Sequence, residues 1–269
     1  MLALEQDGVD LWVMFINPEF DPLESSWCRN VIAPEERRRA MAFHFERDRR
    51  NYLLTRALVR IVLSRYASID PRTWTFSTSE YGKPLIANDR RIGAAISFNI
   101  SHTNGLILIG ITGAAGLGVD TENTSRTPPI EVASQFFAPA EVCALNALPQ
   151  TLRAERFLEI WTLKESYIKA RGMGMSIPLQ RFAFDLAPAG GIELFTEPEI
   201  ADLAVRWHFW LLRPSPDHVA SICVERIGHM PKRLVVRQVG CDGTDKIVDC
   251  LVLRSSVWQA CDKCSALAC

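Results

Sequence analysis

The chain has 269 residues, of which 48% are hydrophobic and 23% are charged, and its formal net charge is −1. These values are ordinary for a globular protein and argue against the strong overall field that attracts nucleic acid or a membrane. We expect no secretory signal, because the first residues lack a basic segment followed by an apolar core. The longest apolar run, residues 106–119, is shorter than the ~20 residues of a membrane span.

The first half of the chain predicts a strand, a long helical segment and further strands. Residues 10–16 form an apolar run that is typical of a buried strand. Residues 34–65 predict helix, which begins at Pro34 with two acids in the first turn and is broken near His44. Further strands are predicted over residues 73–78, 96–103 and 106–111.

The helical segment is markedly basic in a chain that is otherwise nearly neutral. Nine arginines fall between residues 35 and 65, against four acidic residues. Guanidinium groups suit phosphate because they are always charged and can bind it through two hydrogen bonds. The segment is therefore as consistent with binding an anionic ligand or partner as with a solvated amphipathic helix.

Two short polar stretches follow this segment. The turn Glu80-Tyr-Gly-Lys-Pro84 presents Lys83, and Gly82 allows close backbone approach. Ser101 and His102 end a predicted strand, but no Gly-x-Ser-x-Gly surrounds them, so they do not form a hydrolase elbow. The Gly-Lys-Pro stretch alone is also typical of a plain surface turn, and a lone histidine at a strand end is more often a structural residue than a catalyst.

Asp120 and Glu122 lie two residues apart on a predicted strand, so both carboxylates point to one face. Two carboxylates on one face repel each other unless a cation lies between them. Oxygen ligands at this spacing suit a hard divalent ion, Mg²⁺ especially. The alternative is a pair of solvated acids at a strand end.

A long helix is predicted over residues 151–171, and Gly172 is a stop signal. Trp161, Glu165 and Lys169 are each four residues apart and therefore share one face of this helix. The alternative for the two charged residues is a surface ion pair worth about 0.2–0.5 kcal/mol. Short helices are predicted before this helix, and strands after it over residues 182–185, 207–212 and 219–224.

The two parts of the chain resemble each other in the order of their elements. Each offers helix and then strands, and each closes with a turn-joined strand pair, which indicates a structural duplication divided near residues 112–118. Residues 228–269 show no clear relation to either part. They hold five of the eight cysteines at spacings that do not match a four-ligand zinc site, namely Cys241, Cys250, Cys261, Cys264 and Cys269. The other three cysteines indicate the reduced thiols of a cytoplasmic protein.

Taken together, the carboxylates predict a Mg²⁺ site and the basic groups predict a polyphosphate ligand. The combination argues for Mg²⁺-assisted attack at a phosphate, with positioning and charge neutralisation as the main contributions.

The order and spelling of four motifs resemble the 4′-phosphopantetheinyl transferases of the large surfactin-synthetase (Sfp-like) type. The motifs are Glu80-Tyr-Gly-Lys-Pro84, Phe98-Asn-Ile-Ser-His102, Gly118-Val-Asp-Thr-Glu122 and Trp161-Thr-Leu-Lys-Glu-Ser166 with Lys169. The resemblance implies an α+β fold of two similar α/β halves, residues 1–115 and 116–227. Each half would be a small, mostly antiparallel sheet with a long helix, and a pseudo-twofold axis would relate them around an active-site cleft.

The resemblance also implies the reaction and the residues that perform it. Such an enzyme transfers 4′-phosphopantetheine from coenzyme A to a serine of an apo acyl or peptidyl carrier protein and releases 3′,5′-ADP. Asp120, Glu122 and Glu165 would hold Mg²⁺ (or Mn²⁺), and Glu165 would activate the serine. Lys169 would bind a phosphate with help from Lys164, and Glu141 would match a further family acid. The remaining coenzyme-binding residues would be Lys83, Ser101, His102, Arg47, Arg50 and Arg56.

Two other classes of protein remain open. One is a non-catalytic module that binds coenzyme A or a carrier protein, and the other is a Mg²⁺-dependent nucleotide phosphohydrolase. A cleft formed within one chain predicts a monomer without nucleic-acid or membrane partners. The motifs do not select among fatty-acid, polyketide, peptide and siderophore carrier proteins.

Overall fold

The computed structural model describes residues 1–5, 8–17, 19–113, 116–186, 190–226 and 233–256. The described α-helices are α1 Ser26–Val31, α2 Pro34–Ala40, α3 Glu46–Leu63, α4 Arg90–Ala95, α5 Ala133–Phe136, α6 Pro139–Ala147 and α7 Gln150–Arg171. The described strands are β1 Gly8–Phe15, β2 Phe76–Thr78, β3 Pro84–Ile86, β4 Ser97–Thr103, β5 Leu106–Thr112, β6 Leu117–Asn123, β7 Phe182–Asp185, β8 Gly191–Thr196, β9 Trp207–Ser215, β10 His218–Glu225, β11 Arg233–Val239, β12 Asp245–Ile247 and β13 Leu251–Ser256.

Most of these strands form two sheets. The first sheet has the order β12-β11-β1-β5-β4, the second has the order β6-β10-β9-β13-β8-β7, and β2 and β3 form a separate pair. Neighbouring strands are mostly antiparallel, but β1 pairs with β11 and β13 pairs with β8 in the parallel sense. The first sheet therefore ends at β4 and the second at β6.

The two sheets pack face to face, and each carries a long helix on its other face. Val13 of β1, Leu108 of β5, Val119 of β6 and Ile222 of β10 belong to the apolar core shared by the sheets. Alternate residues of the same strands pack against α3 in the first lobe and against α7 in the second. Because both faces of each sheet are covered, its strands are continuous apolar runs rather than alternating ones.

This arrangement confirms the predicted α+β fold, in which each lobe is a mostly antiparallel sheet with a long helix. The predicted helix of residues 34–65 is present as α2 and α3, and the predicted break occupies residues 41–45. The long helix α7 ends as predicted at Gly172, whose φ of 68° is left-handed, a conformation that costs glycine little because it has no Cβ.

Residues 233–256 correct the expectation that the C-terminal stretch is unrelated to either half. β11 adds to the first sheet beside β1, whereas β13 lies between β9 and β8 of the second sheet. Side chains add to these pairings, since Arg65 forms an ion pair of 2.8 Å with Asp245. The pairing partners lie more than 200 residues apart for β1 and β11, which no local pattern reports. The division near residue 115 stays a prediction.

The cysteines within the described ranges are all free. They are Cys28, Cys143, Cys223, Cys241 and Cys250, whereas Cys261, Cys264 and Cys269 lie outside the described residues. None of the described helices is both long enough and apolar enough to cross a membrane.

Candidate active site

The edge strands of the two sheets, β4 and β6, meet beside the C-terminal half of α7. One residue from each element contributes to a buried polar cluster. The Ser101 hydroxyl on β4 donates to Oδ1 of Asp120 on β6 at 2.9 Å. The Lys169 ammonium on α7 donates to the same oxygen at 2.6 Å. Three of the predicted site residues are therefore in direct contact.

Gly118 explains how α7 comes so close to β6. A Cβ atom built on Gly118 would lie 1.9 Å from the Ser166 carbonyl oxygen and 2.5 Å from the Ala170 nitrogen. Both atoms belong to the backbone of α7, so no side chain could rotate away. Only a residue without a Cβ permits this approach, which brings the face of α7 that carries Glu165 and Lys169 against Asp120.

Lys169 is held by three acceptors rather than exposed as one half of a surface pair. Besides Asp120, its ammonium donates to the Ser101 hydroxyl and to the Val119 carbonyl, both at 3.2 Å. Its side chain is 28% exposed. The ion pair of Lys169 is thus formed with Asp120 and not with Glu165, which replaces the alternative of a solvated helical pair.

Asp120 is close enough to Glu122 and Glu165 to disfavour the ionisation of both. Burial, followed by the negative charge of Asp120, raises the pKa of Glu122 to about 7. The same two causes, in the same order, raise the pKa of Glu165. Oδ2 of Asp120 is buried without a hydrogen-bond partner, although buried polar atoms almost always have one. A cation placed among these oxygens would relieve both the repulsion and the unsatisfied atom.

The cluster fits a Mg²⁺ site in which a substrate would supply some of the oxygen ligands. Within the described ranges, no three His, Cys, Asp or Glu side chains are already arranged to hold a metal ion. Mg²⁺ commonly keeps several waters and takes only one or two carboxylates together with substrate phosphates. The unsatisfied oxygen of Asp120, with Glu165 and Glu122 in electrostatic range, supplies the hard oxygen donors that such a site needs.

A cavity of about 200 Å³ opens beside Glu122. Its lining includes Arg126, Val132, Phe157 and Trp161. The rings of Phe157 and Trp161 stack at a centroid distance of 6.0 Å and an interplanar angle of 9°. The third member of the predicted helical stripe, Trp161, therefore belongs to an apolar wall next to the carboxylates.

The predicted coenzyme ligands His102 and Lys83 lie on two sides of the cluster. His102 is exposed on β4, and partial desolvation followed by the charge of Lys169 lowers its pKa, while Asp48 and Asp120 act in the opposite direction. Lys83 donates to the Leu117 carbonyl at 2.9 Å and to the Lys169 carbonyl at 3.0 Å. Its ammonium is thus bound to backbone rather than presented on an open turn.

The three predicted arginines of α3 differ in their surroundings. Arg47 has a side chain that is 74% exposed, and its neighbour Asp48 is within electrostatic range of His102. Arg50 forms an ion pair with Glu46 at 3.2 Å. Arg56 is instead bound to buried Glu36 at 2.6 Å. Arg47 and Arg50 thus pair with exposed acids in the first two turns of α3, whereas the acid that pairs with Arg56 is buried.

Lys164 and Glu141 belong to the interior of the second lobe. The Lys164 ammonium lies 2.7 Å from Glu141 and donates to the carbonyls of Leu179 and Phe182 at 2.8 and 2.6 Å. The expectation that Lys164 assists Lys169 is therefore wrong. The two lysines are five residues apart, which separates them by about 140° around a helix, and Lys164 is fully buried.

Sequence reasoning missed two residues that shape the site. Asn99 accepts a hydrogen bond from the Val119 amide at 2.9 Å through Oδ1, and Gly118 sets the spacing of β6 and α7. Asn99 is two residues before Ser101 on β4, so the period of a strand places both on one face. That spacing is the signal by which Asn99 could have been found.

The fold and the site define a class of protein that places a carboxylate cluster and cations where two α/β lobes meet. Family models then identify the chain: one described as "4'-phosphopantetheinyl transferase, N-terminal" matches residues 18–112, and one described as "4'-phosphopantetheinyl transferase superfamily" matches residues 116–223. The chain belongs to the 4′-phosphopantetheinyl transferase family, as its motifs indicate.

Individual relatives support this membership over most of their length. The 4'-phosphopantetheinyl transferase HetI of Nostoc sp. (strain PCC 7120) is 30% identical over 232 residues, which cover 86% of this chain and 93% of the relative. The 4'-phosphopantetheinyl transferase Sfp of Bacillus subtilis is 34% identical over 200 residues, covering 74% and 85%. A solved structure, that of Thermotoga maritima holo-[acyl-carrier-protein] synthase, is matched over 42% of this chain and 64% of that chain at 20% identity and a TM-score of 0.35, too low a similarity to add support.

Proposed function

We propose that this protein transfers the 4′-phosphopantetheine group of coenzyme A to a serine of an apo acyl or peptidyl carrier protein and releases 3′,5′-ADP. One observation carries the proposal in a chain of this family. Buried Asp120 has one oxygen held by Lys169 and Ser101 and the other without a partner. That arrangement suits a carboxylate that completes its contacts only when a metal ion and the phosphates of a substrate arrive.

Asp120 and Glu165, with Glu122, would hold Mg²⁺ at this site, and Mn²⁺ offers the same preference for oxygen. When bound, the ion would neutralise pyrophosphate charge and polarise the phosphorus that is attacked. The surplus of carboxylates over cations in the cluster supports this assignment. The cations that act on these three acids are Lys169 and, at Glu122, Arg126, and the pKa values of Glu122 and Glu165 are raised even so.

Glu165 is the residue that we assign to the carrier serine. Burial, followed by the charge of Asp120, raises the pKa of Glu165 in the metal-free site, and a carboxylate at this place could accept the serine proton directly or through a water. The serine oxygen would form the new bond to phosphorus while its proton passes to Glu165. The bond to 3′,5′-ADP would break in the same displacement, and the ammonium of Lys169 would compensate the charge on the phosphate oxygens.

The coenzyme's phosphates would lie on the side of the cluster that faces β4 and the start of α3. His102 is exposed there, and Arg47 and Arg50 extend from the first two turns of α3. Ser101 would contribute through its contact with Asp120 and Lys169. The cavity beside Glu122, with its aromatic wall, offers an uncharged surface to the parts of the substrates that carry no phosphate.

The direct test is the intact mass of several apo carrier proteins after incubation with the protein, coenzyme A and Mg²⁺. We expect one carrier to gain a single phosphopantetheine unit, and the gain to disappear with EDTA. Asp120→Asn, which keeps the shape of the side chain and removes its charge, is the matched control and should give no gain. Hydrolysis of coenzyme A without transfer would favour the phosphohydrolase, and binding without any turnover would favour the non-catalytic module.

A further inference from the structure

The free edge of β6 is bound by side chains rather than by another strand. β6 is the edge strand of the second sheet, with β10 on one side only. On the other side, Lys83 donates to the Leu117 carbonyl at 2.9 Å, Asn99 accepts from the Val119 amide at 2.9 Å, and Lys169 donates to the Val119 carbonyl at 3.2 Å. Unpaired backbone groups at a strand edge need such partners when they are covered.

Lys83 is unusual in this row because its ammonium also reaches the end of α7. It donates to the Lys169 carbonyl at 3.0 Å, one of the last four carbonyls of the helix, which have no partner within it. A cation at this end of a helix also interacts favourably with the helix dipole. The stem of Lys83 passes over Gly172, where a Cβ would lie 3.6 Å from its Cδ.

We propose that Lys83 is a positioning residue that ties the start of β6 to the end of α7, and that it does not hold a coenzyme phosphate. Its two hydrogen bonds reach the carbonyl three residues before Asp120 on β6 and the carbonyl of Lys169 on α7. It therefore fixes the two chain segments whose side chains must meet at 2.6 Å. Two of the three ammonium donors are bound to these carbonyls, so an ammonium that moved away to a phosphate would release both segments. The inference rests on the proposed transferase function.

Three variants separate positioning from phosphate binding. Lys83→Met keeps the stem and removes the donor, Lys83→Arg restores a cation with several donors, and Lys246→Met removes the charge of an exposed lysine on β12 as the matched control. The turnover number and KM for coenzyme A would be measured with a carrier protein, and the affinity for 3′,5′-ADP by calorimetry.

For Lys83→Met we expect kcat to fall roughly 10- to 100-fold, since a misplacement of about 1 Å costs that much. The KM for coenzyme A and the affinity for 3′,5′-ADP should stay within about threefold, a change below the tenfold that 1.4 kcal/mol represents. Lys83→Arg should recover part of kcat, and Lys246→Met should match the wild-type protein. A tenfold weaker affinity for 3′,5′-ADP with an unchanged kcat would overturn the proposal.

Amide hydrogen exchange supplies a readout that does not depend on turnover. Peptides covering residues 117–123 and 166–172 should exchange faster in Lys83→Met than in Lys246→Met, while peptides of β9 remain unchanged. Equal exchange in both variants would also overturn the proposal. If the wild-type protein transfers nothing, the proposed function fails, yet exchange and 3′,5′-ADP affinity still decide the role of Lys83. If Lys83→Met does not fold, Lys83→Arg is judged by the same affinity and exchange measurements.

Discussion

Substitution of Gly118 by alanine is the perturbation that tests the architecture of the site most directly. The added Cβ would lie 1.9 Å from the Ser166 carbonyl oxygen, whereas ordinary van der Waals contact begins at 3.4 Å. Relief of the clash therefore requires β6 and α7 to separate by about 1.5 Å at this point. Since α7 carries Glu165 and Lys169 and β6 carries Asp120, the separation acts on the contact between Lys169 and Asp120.

The substitution should have a small effect on stability and a large effect on the reaction rate. Overpacking of this kind costs about 1–3 kcal/mol of folding free energy, which for a chain of this size lowers Tm by roughly 2–4 °C per kcal/mol. A displacement of about 1 Å at a reacting centre can cost about 100-fold in rate. We therefore expect Gly118→Ala to remain folded at 25 °C and to lose about 100-fold in kcat.

The assay is carrier-protein loading under saturating coenzyme A, with thermal unfolding followed in parallel. Gly113→Ala is the matched control, because among the described residues a Cβ at Gly113 would meet only the Ala95 carbonyl oxygen, at 3.9 Å. It should leave both kcat and Tm near the wild-type values. A Gly118→Ala protein with wild-type kcat would refute the reasoning, since it would mean that the spacing of β6 and α7 does not govern the chemistry.

Three further predictions concern the charged groups. Glu165→Gln should abolish transfer while coenzyme A still binds in calorimetry; normal turnover in this variant would remove Glu165 from its assigned role. Because the pKa of Glu122 is raised to about 7, the metal-free protein should lose stability as pH rises from about 4.5 through 7, where the folded state must release this proton. Urea unfolding should show that loss in the wild-type protein and a smaller one in Glu122→Gln, and equal slopes in both would contradict it. Lys164→Met should destabilise the protein by about 3–5 kcal/mol, because Glu141 is left buried without its partner; stability equal to that of Lys246→Met would argue against a structural role for the pair.

The site lies where the edge strands of the two sheets, β4 and β6, meet. Edge strands leave backbone groups unpaired, and here those of β6 are bound by the same side chains that surround Asp120. Lys169 contacts both the Val119 carbonyl and the Asp120 carboxylate. The same side chain therefore binds the backbone of β6 and the site carboxylate, so a change in one of these contacts alters the other.

The local geometry of each functional element could be predicted from the residues of that element alone. The helical period placed Trp161, Glu165 and Lys169 on one face of α7, and Gly172 marked its end, as the structure confirms. The strand period of two placed Asp120 and Glu122 on one face of β6. These relations could be predicted because they depend on the chain within a few residues. The four motifs in order then indicated the family.

Which of these groups contact each other could not be predicted from local patterns. The partner of Lys169 is Asp120, 49 residues away, and the ammonium of Lys83 is bound by carbonyls of two other elements. Lys164 lies next to Glu165 in sequence yet is buried against Glu141. Residues 233–256 add two strands to the first sheet and one to the second. Each of these outcomes depends on packing between segments far apart in the chain. Local periodicity fixes the direction of a side chain relative to its own element, whereas its partner depends on how the elements pack.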